Sequence, residues 1–275
     1  ATVGHAEQAA NTLNVSGTLL SGSGVTLSNI SVDVNGNVTA DVQAACGATN
    51  SAFTLTVTDN GNAFATAQLL VNVSANPAPT LTYPSNPGTV YGTGITVNPL
   101  TRPSDNGRVN SVQVFSVVPA VSGGITVDSA GVVTVVATVP AGNYIVTIHA
   151  TDDCGAITEA HFSLGIVRAP LTVTVNNAWR NQGAANPPSS GSITGLQNGD
   201  NITASYSTTA TTSSVPGAYP IMASLIDPNN RLGNYQVTNN SGTLTILNSC
   251  GITVNPATLP TATLGKPFAQ TLSAS

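Results

Sequence analysis

The sequence predicts an all-β protein made of consecutive antiparallel sandwich domains. Many short runs alternate apolar and polar residues, which is the pattern of half-buried strands. No stretch keeps a 3.6-residue apolar period over three turns, so long helices are not expected. Only 6% of the 275 residues are charged while 41% are hydrophobic, so the polar surface must be largely Thr, Ser and Asn. Those residue types suit strands and turns.

The strand-like runs repeat along the chain. A block in the middle, residues 126–167, has a counterpart nearer the start. The matching aspartates Asp33 and Asp128 are 95 positions apart (128 − 33), and Asp59 and Asp152 are 93 apart (152 − 59). A repeat of this length has the size of an immunoglobulin-like sandwich, which takes about 100 residues.

The repeat divides the chain into four segments. Residues 1–76 predict an Ig-like domain, and residues 77–169 predict a complete Ig-like sandwich. The boundary between them is rich in proline, which fixes φ and stiffens a linker. Residues 170–248 do not follow this repeat, and they predict a small, mostly-β domain. Residues 249–275 predict either the opening strands of a further Ig-like domain or a strand that is donated to a partner.

The first domain starts late, and the last segment holds only opening strands. Only 32 residues precede Asp33, whereas 51 separate Pro77 from Asp128 (128 − 77), so the first domain is expected to lack opening strands. Residues 251–258 nearly copy residues 94–101. The hypothesis is that this extension packs into the first domain of another copy. The side chains expected to be buried in that contact are Ile252, Val254, Leu264, Phe268 and Leu272. The rival hypothesis is that both ends are cuts in a longer tandem array.

Two resemblances to known families follow from these motifs. The pattern Val-Asp-x-x-Gly-x-Val-Thr, followed by Tyr-x-Val-Thr-Ile-x-Ala-Thr-Asp-x-Cys-Gly and Phe-x-Leu-x-Ile, resembles the Ig-like and cadherin-like repeats of very large bacterial surface proteins. It covers most of residues 20–168. Gly-Leu-Gln-Asn-Gly-Asp and Gly-Asn-Tyr-x-Val are similar to the MBG-type (YGX-like) repeat of such proteins. The signature tyrosine of that repeat is absent before Gly183. The resemblances imply a bacterial surface protein and name no ligand.

The chain has three cysteines, Cys46, Cys154 and Cys250. The first two each open a Cys-Gly-Ala segment a few residues before a Phe-led strand, so they look like equivalent positions in two domains. Equivalent positions in separate domains are usually too far apart to bond. We therefore expect free or intermolecular thiols, and an intrachain disulfide is the less favoured alternative.

Two sets of polar residues allow a metal-binding interpretation. His149 and His161 are each six residues from Gly155, so a hairpin centred there would set them side by side with Glu159, a set that can bind a transition metal. The favoured alternative is that they are exposed polar residues. Acidic turns occur at positions 59, 105, 152–153, 200 and 227. Each carries one or two acids, whereas Ca²⁺ takes six to eight oxygens, so structural turns are favoured over calcium sites.

The remaining composition limits the function classes. The chain has six Lys plus Arg and a net charge of −5, so nucleic acid is not an expected partner. No apolar run approaches the roughly 18 residues of a membrane span, and no signal segment opens the chain, so Ala1 is expected to begin a mature or excised segment. The scarcity of charge and the Thr/Asn surface predict an extracellular or cell-surface location.

No catalytic constellation is present, so neither enzymatic activity nor a cofactor is expected. The favoured function is a structural stalk or filament segment that self-associates or joins neighbouring domains of a longer chain. The alternatives are an adhesive module that binds a glycan or host surface and a domain array accessory to an enzyme. Aromatics are only 4% of the chain, so Trp179 is expected to be a packing anchor rather than part of a sugar-binding surface.

Overall fold

The computed structural model describes residues 2–249, 254–255, 264–267, 269, 271 and 273–274. The prediction of an all-β fold is confirmed. Besides strands, these residues form two single 3₁₀ turns, Ala10–Thr12 and Leu232–Asn234. No helix in the described part of the chain has the length and apolar character of a transmembrane span. Every strand pairing within residues 2–249 stays inside one of three consecutive units.

The first unit is a small sandwich of five strands. They are β1 (Asn14–Ser21), β2 (Val25–Val32), β3 (Val38–Ala44), β4 (Ser51–Thr58) and β5 (Phe64–Val71). One sheet has the order β1-β4-β5, and the other consists of β2 and β3, with every pairing antiparallel. The two sheets pack closely at Gly17, because a Cβ on this residue would meet the side chains of Leu27 and Ile30 at 3.0 and 3.1 Å.

The second unit has nine strands. They are β6 (Thr80–Thr82), β7 (Gly88–Val90), β8 (Ile95–Val97), β9 (Thr101–Ser104), β10 (Val109–Val118), β11 (Ile125–Val127), β12 (Val133–Val135), β13 (Gly142–Asp152) and β14 (Ile157–Val167). One sheet has the order β10-β13-β14-β7, in which β7 is parallel to β14. The other strands pair as β11-β12-β8 and β6-β9. This is an Ig-like sandwich.

The third unit also has two sheets. Its strands are β15 (Ala169–Val175), β16 (Ala178–Asn181), β17 (Gly191–Thr194), β18 (Thr203–Thr208), β19 (Gly217–Ile226), β20 (Tyr235–Asn240) and β21 (Gly242–Leu247). The sheet orders are β17-β15-β20 and β16-β21-β19-β18. Two short strands follow, β22 (Val254–Asn255) and β23 (Ser273–Ala274), which pair with each other.

The hydrophobic core is distributed unevenly. One continuous cluster of buried side chains runs from Leu81 to Tyr235 and joins the second unit to the third. A smaller cluster lies within the third unit. No side chain of the first unit belongs to either cluster in the described residues. The buried apolar side chains of the first unit are Leu13, Val25, Ala52, Phe53 and Leu55.

Candidate functional site

The first two units are built on the same turns. In each of four turns, one aspartate Oδ1 accepts hydrogen bonds from the backbone N–H groups two and four residues later. The four aspartates are Asp33, Asp59, Asp128 and Asp152. Asp33 and Asp128 each lie in a turn that a positive-φ glycine completes. The carboxylates are therefore turn-forming acceptors, as the sequence favoured.

These turns establish which strands correspond. Asp33 follows β2 as Asp128 follows β11, and Asp59 follows β4 as Asp152 ends β13. The strand order β1-β4-β5 matches β10-β13-β14, and β2-β3 matches β11-β12. The first unit therefore contains counterparts of β10 to β14, whereas residues 2–76 supply no counterparts of β6 to β9.

Two strand edges of the first unit are open as a result. In the second unit, β7 covers the outer edge of β14, and β8 covers the outer edge of β12. The equivalent edges belong to β5 and β3, and no strand of the described residues pairs with them. Beside β3, Thr2 forms an isolated bridge to Asn37, and the Val3 N–H donates to the Gly36 carbonyl at 2.7 Å. Thr2 and Val3 therefore contact the turn before β3 but do not pair with β3 itself, which begins at Val38.

The open edges leave inward-facing side chains uncovered. Val133 and Val135 of β12 are 0% and 1% exposed, but their counterparts Val38 and Ala40 are only half-buried. On β14, Ala160 is buried opposite Ile148. Its counterpart Ala67 lies opposite the buried Leu55, and yet it is exposed. The inner face of the first unit is therefore partly open to solvent.

A groove of about 380 Å³ lies beside the exposed Ala67. Its apolar lining includes Leu13, Val57, Phe64 and Ala67, and it adjoins the N-terminal residues. At its rim, His5 Nε2 lies 3.4 Å from Asp59 Oδ2. In the second unit, the equivalent Asp152 turn faces the first unit, because it accepts a hydrogen bond from Asn76 of the linker. The Asp59 turn therefore lies at the end of the first unit that points away from the second unit. The groove thus lies at the end of the first unit that faces away from the second unit.

The first and second units are joined covalently. Cys46 and Cys154 form a disulfide with a Cα–Cα distance of 5.2 Å. This corrects the expectation that both are free or intermolecular thiols. The two cysteines are not at equivalent positions, because Cys46 lies between β3 and β4 whereas Cys154 lies in the β13–β14 turn. The turn of the second unit therefore meets a loop of the first. Cys250 lies outside the described residues.

Polar contacts support the same junction. The Asn76 side-chain amide donates to Asp152 Oδ2, and the Thr158 hydroxyl donates to the Pro79 carbonyl. Burial alone would raise the pKa of Asp152, but hydrogen bonds from the Asn76 side chain and from its own turn hold that pKa below the ordinary value. Hydrogen bonds to the second unit thus hold the linker at Asn76 and at Pro79.

The second and third units share a buried polar contact that the sequence analysis missed. The Asp200 carboxylate accepts hydrogen bonds from Tyr91 at 2.9 Å and from Tyr235 at 2.6 Å, and the two tyrosine rings meet edge to face. Burial, and then the bond to Asp200, raise the pKa of Tyr235 to about 12. No sequence motif relates Tyr91 to Asp200, 109 positions later. Together with the continuous core, this contact fixes the two units to each other.

The predicted pairing of the two histidines is wrong. His149 lies opposite Glu159, and His161 lies opposite Thr147, because the turn is centred one residue earlier than Gly155. His149 Nε2 lies 3.2 Å from Glu159 Oε2, and its ring stacks on Phe115 at 3.9 Å. No cluster of three metal-ligating side chains occurs among the residues that the structure describes.

The prediction for Trp179 is also wrong. This side chain is 68% exposed on β16, opposite Thr245, so it anchors no packing at a junction. Most of the five predicted contact residues of the extension cannot be compared. Ile252, Phe268 and Leu272 lie outside the described residues. Val254 lies in β22, and Leu264 is fully exposed. Their burial in a partner therefore stays a prediction.

Comparison with known proteins supports one part of the sequence assignment. Residues 171–245 match the family model of the MBG domain (YGX type), which confirms the resemblance inferred for the third unit. No curated protein matches the chain.

Several solved structures match most of the chain at low identity. The human desmocollin-1 ectodomain is 10% identical, with 82% of this chain and 54% of that chain covered and a TM-score of 0.30. Drosophila N-cadherin EC1-4 is 9% identical, with 86% and 67% covered and a TM-score of 0.32. Mouse cadherin-23 EC22-24 is 14% identical, with 89% of each chain covered and a TM-score of 0.30. The chain spans about half the length of the desmocollin ectodomain.

Proposed function

We propose that this chain is a non-catalytic structural segment of an extracellular stalk or filament on a bacterial surface, and that copies join head to tail by strand donation. The observation that carries the proposal is the pair of open edges on the first unit, beside a second unit in which the equivalent edges are covered. An unpaired edge next to an exposed apolar face is a template for pairing with another chain.

The arrangement of the units supports a structural role. The first unit is tied to the second by a disulfide, and the second shares its core with the third. No side-chain hydrogen bond or ion pair of residues 2–249 joins the first unit to the third. Contacts are thus confined to sequential neighbours, as in extended domain arrays. Such an array acts as a spacer and bears tension along its length, and this role requires no catalytic centre.

Strand donation would extend this row. The extension, residues 249–275, follows the third unit, while the groove opens at the far tip of the first unit. Because donor and acceptor surfaces differ, the contact is heterologous, and it propagates into a filament when the rotation between copies does not close. In a longer tandem array, the same contact would form between neighbouring repeats of one chain.

Deletion of residues 251–275 tests the proposal. We expect the intact chain to form polymers that electron microscopy shows as fibres, and we expect the shortened chain to stay monomeric in analytical ultracentrifugation. A shortened chain that polymerises like the intact one would show that assembly does not use the extension.

The second candidate function is glycan adhesion. The exposed Trp179 favours it, because a solvent-facing aromatic ring can stack on a sugar. An intact chain that stays monomeric but is retained on immobilised glycans would favour this function over the structural one.

A further inference from the structure

We infer that a groove on the outer face of the second unit binds an acidic glycan, that is, a carbohydrate chain that carries carboxylate groups. The groove crosses β13, β14 and β7 and ends at the junction with the third unit. This inference rests on glycan adhesion, the second candidate function, and gives it a binding site other than the exposed Trp179. It does not depend on strand donation.

Two adjoining cavities form the groove. One has a volume of about 690 Å³ and the other of about 620 Å³, and Asn143 and Val167 line both of them. A cross-strand row forms the floor, in which Gly165 of β14 lies between Asn143 of β13 and Gly88 of β7. Ser163 and Val167, two residues before and after Gly165 on the same face of β14, stand on either side. The backbone therefore lies bare between two rows of side chains.

The packing around Gly165 does not require glycine. Its φ lies outside the left-handed region, and a Cβ on this residue would meet only Asn143 Oδ1 among the described residues, at an ordinary contact distance of 3.6 Å. Gly88 differs, because a Cβ there would lie 2.9 Å from the Gly165 carbonyl oxygen. Glycine inside a strand lowers stability and often marks a place where a ligand approaches the backbone. A ligand on the floor of the groove accounts for Gly165.

The polar side chains of the groove have no partners within the protein. The Arg168 guanidinium makes no hydrogen bond or ion pair with the described residues, and the same holds for the side-chain amides of Asn143 and Gln236. The Ser163 hydroxyl and the Asn86 side-chain amide, in the adjoining cavity, are likewise unbonded there. Amides and hydroxyls both donate and accept hydrogen bonds, as sugar hydroxyls do. These side chains can therefore bind a glycan without breaking a bond in the protein.

The charge of the groove selects an acidic ligand. Of the described residues that line the two cavities, only Arg168 is charged, and none carries a carboxylate. A guanidinium presents paired N–H donors that match the two oxygens of a carboxylate. The chain as a whole has a net charge of −5, so its general surface charge does not attract an acidic glycan. Attraction is therefore local to Arg168.

The groove fits an extended peptide poorly. Peptides commonly bind by adding a strand to an open sheet edge or by placing apolar side chains in a groove. At the floor, β14 is already paired on both sides, with β13 and with β7. The exposed apolar side chains of the lining, Val90 and Val167, are 37% and 59% exposed, which is too open to enclose an apolar anchor. Recognition through amides, hydroxyls and one guanidinium suits a carbohydrate.

Four variants of the full chain test the site. Gly165→Val fills the floor of the groove with a residue type that favours strands, and Arg168→Gln removes the cation. Ser111→Val and Arg102→Gln are the controls, because they add the same side chain or remove the same charge at exposed positions outside the groove. The acidic probes for isothermal titration calorimetry are oligosaccharides of polygalacturonate, alginate and hyaluronate. The methyl ester of oligogalacturonate is the matched neutral probe.

We expect the intact chain to bind oligogalacturonate and to bind its methyl ester about tenfold more weakly, because the ester offers no carboxylate to Arg168. Gly165→Val and Arg168→Gln should each lower the affinity by about tenfold or more, and both controls should bind like the intact chain. Gly165→Val should melt at no lower temperature than the intact chain, since glycine inside a strand costs stability. If alginate or hyaluronate is bound instead, the same variants should weaken that binding.

The outcomes distinguish this inference from the functions proposed above. Binding that survives Gly165→Val and Arg168→Gln but is lost in Trp179→Ala would overturn the groove assignment and leave glycan adhesion standing. Equal affinity for the acid and its methyl ester would identify a neutral glycan and overturn the acidic class. If Gly165→Val does not fold, unchanged affinity in Arg168→Gln still overturns the inference. An intact chain that binds none of the acidic probes would remove it, whereas strand donation is decided separately by the deletion of residues 251–275.

Discussion

The five strands of the first unit correspond to five of the nine strands of the second, with the same aspartate turns, but the two units bury their inner faces to different degrees. Val133 of the second unit is fully buried, while Val38, its counterpart in the first, is half-buried. The difference arises from β7 and β8, which cover two edges in the second unit and have no counterpart in the described residues of the first. Alternation of apolar and polar residues therefore predicts the strands. Whether the apolar side chains of those strands are buried depends on whether the edges of the sandwich are covered.

The two junctions differ in a related way. The second and third units share one apolar core and the Asp200 contact, whereas the first unit joins the second through a disulfide and a few polar bonds. A unit with few buried side chains contributes little apolar area to a junction. A covalent link compensates for this, because it holds the units together without such area.

The largest expected effect comes from breaking this covalent link. The disulfide spans 108 residues, and native disulfides typically contribute about 2–4 kcal/mol. We expect Cys46→Ser combined with Cys154→Ser to lower the free energy of unfolding of the first unit by about this amount. Differential scanning calorimetry should then show the first unit melting separately at a lower temperature. Cys250→Ser is the control, and an unchanged melting profile in the double variant would contradict the prediction.

A smaller effect compares equivalent core positions. Val133→Ala removes two carbons from a fully buried site and should lower the free energy of unfolding by about 2 kcal/mol. Val38→Ala makes the same change at a half-buried site and should cost less than about 1 kcal/mol in the free chain. Denaturant unfolding of the two variants measures the difference. Equal losses would mean that the first unit is as closed as the second.

The last comparison is the response to alkaline pH. All six tyrosines lie in the second and third units, and burial raises the pKa of Tyr83 and of Tyr235 to about 12 from 10. A raised folded-state pKa gives stability that is complete below pH 10 and is lost as pH rises through about 12. The second and third units should therefore lose stability over this range while the first does not. Tyrosinate absorbance followed alongside unit-specific melting checks this, and parallel loss in all units would contradict it.

The fold class and the repeated aspartate turns could be predicted from local patterns in the sequence. Period-two patterning and turn residues are local signals, and the aspartates at 33, 59, 128 and 152 bond to backbone only two and four residues away. The MBG-type segment was likewise recognisable from short motifs, and the family match covers nearly the same residues.

The contacts between distant residues could not be predicted from the sequence. Cys46 and Cys154 looked equivalent by their flanking residues, but one lies in a loop and the other in a hairpin turn, and docking of the units brings them together. The β13–β14 turn is centred one residue earlier than the sequence pattern predicted. His149 therefore lies opposite Glu159 instead of His161. Trp179 is exposed, and Asp200 holds two tyrosines, because sheet order and unit docking place these side chains. Local pattern specifies strands and turns, whereas pairing across 100 residues depends on how whole sheets close and pack, which no short segment of sequence encodes.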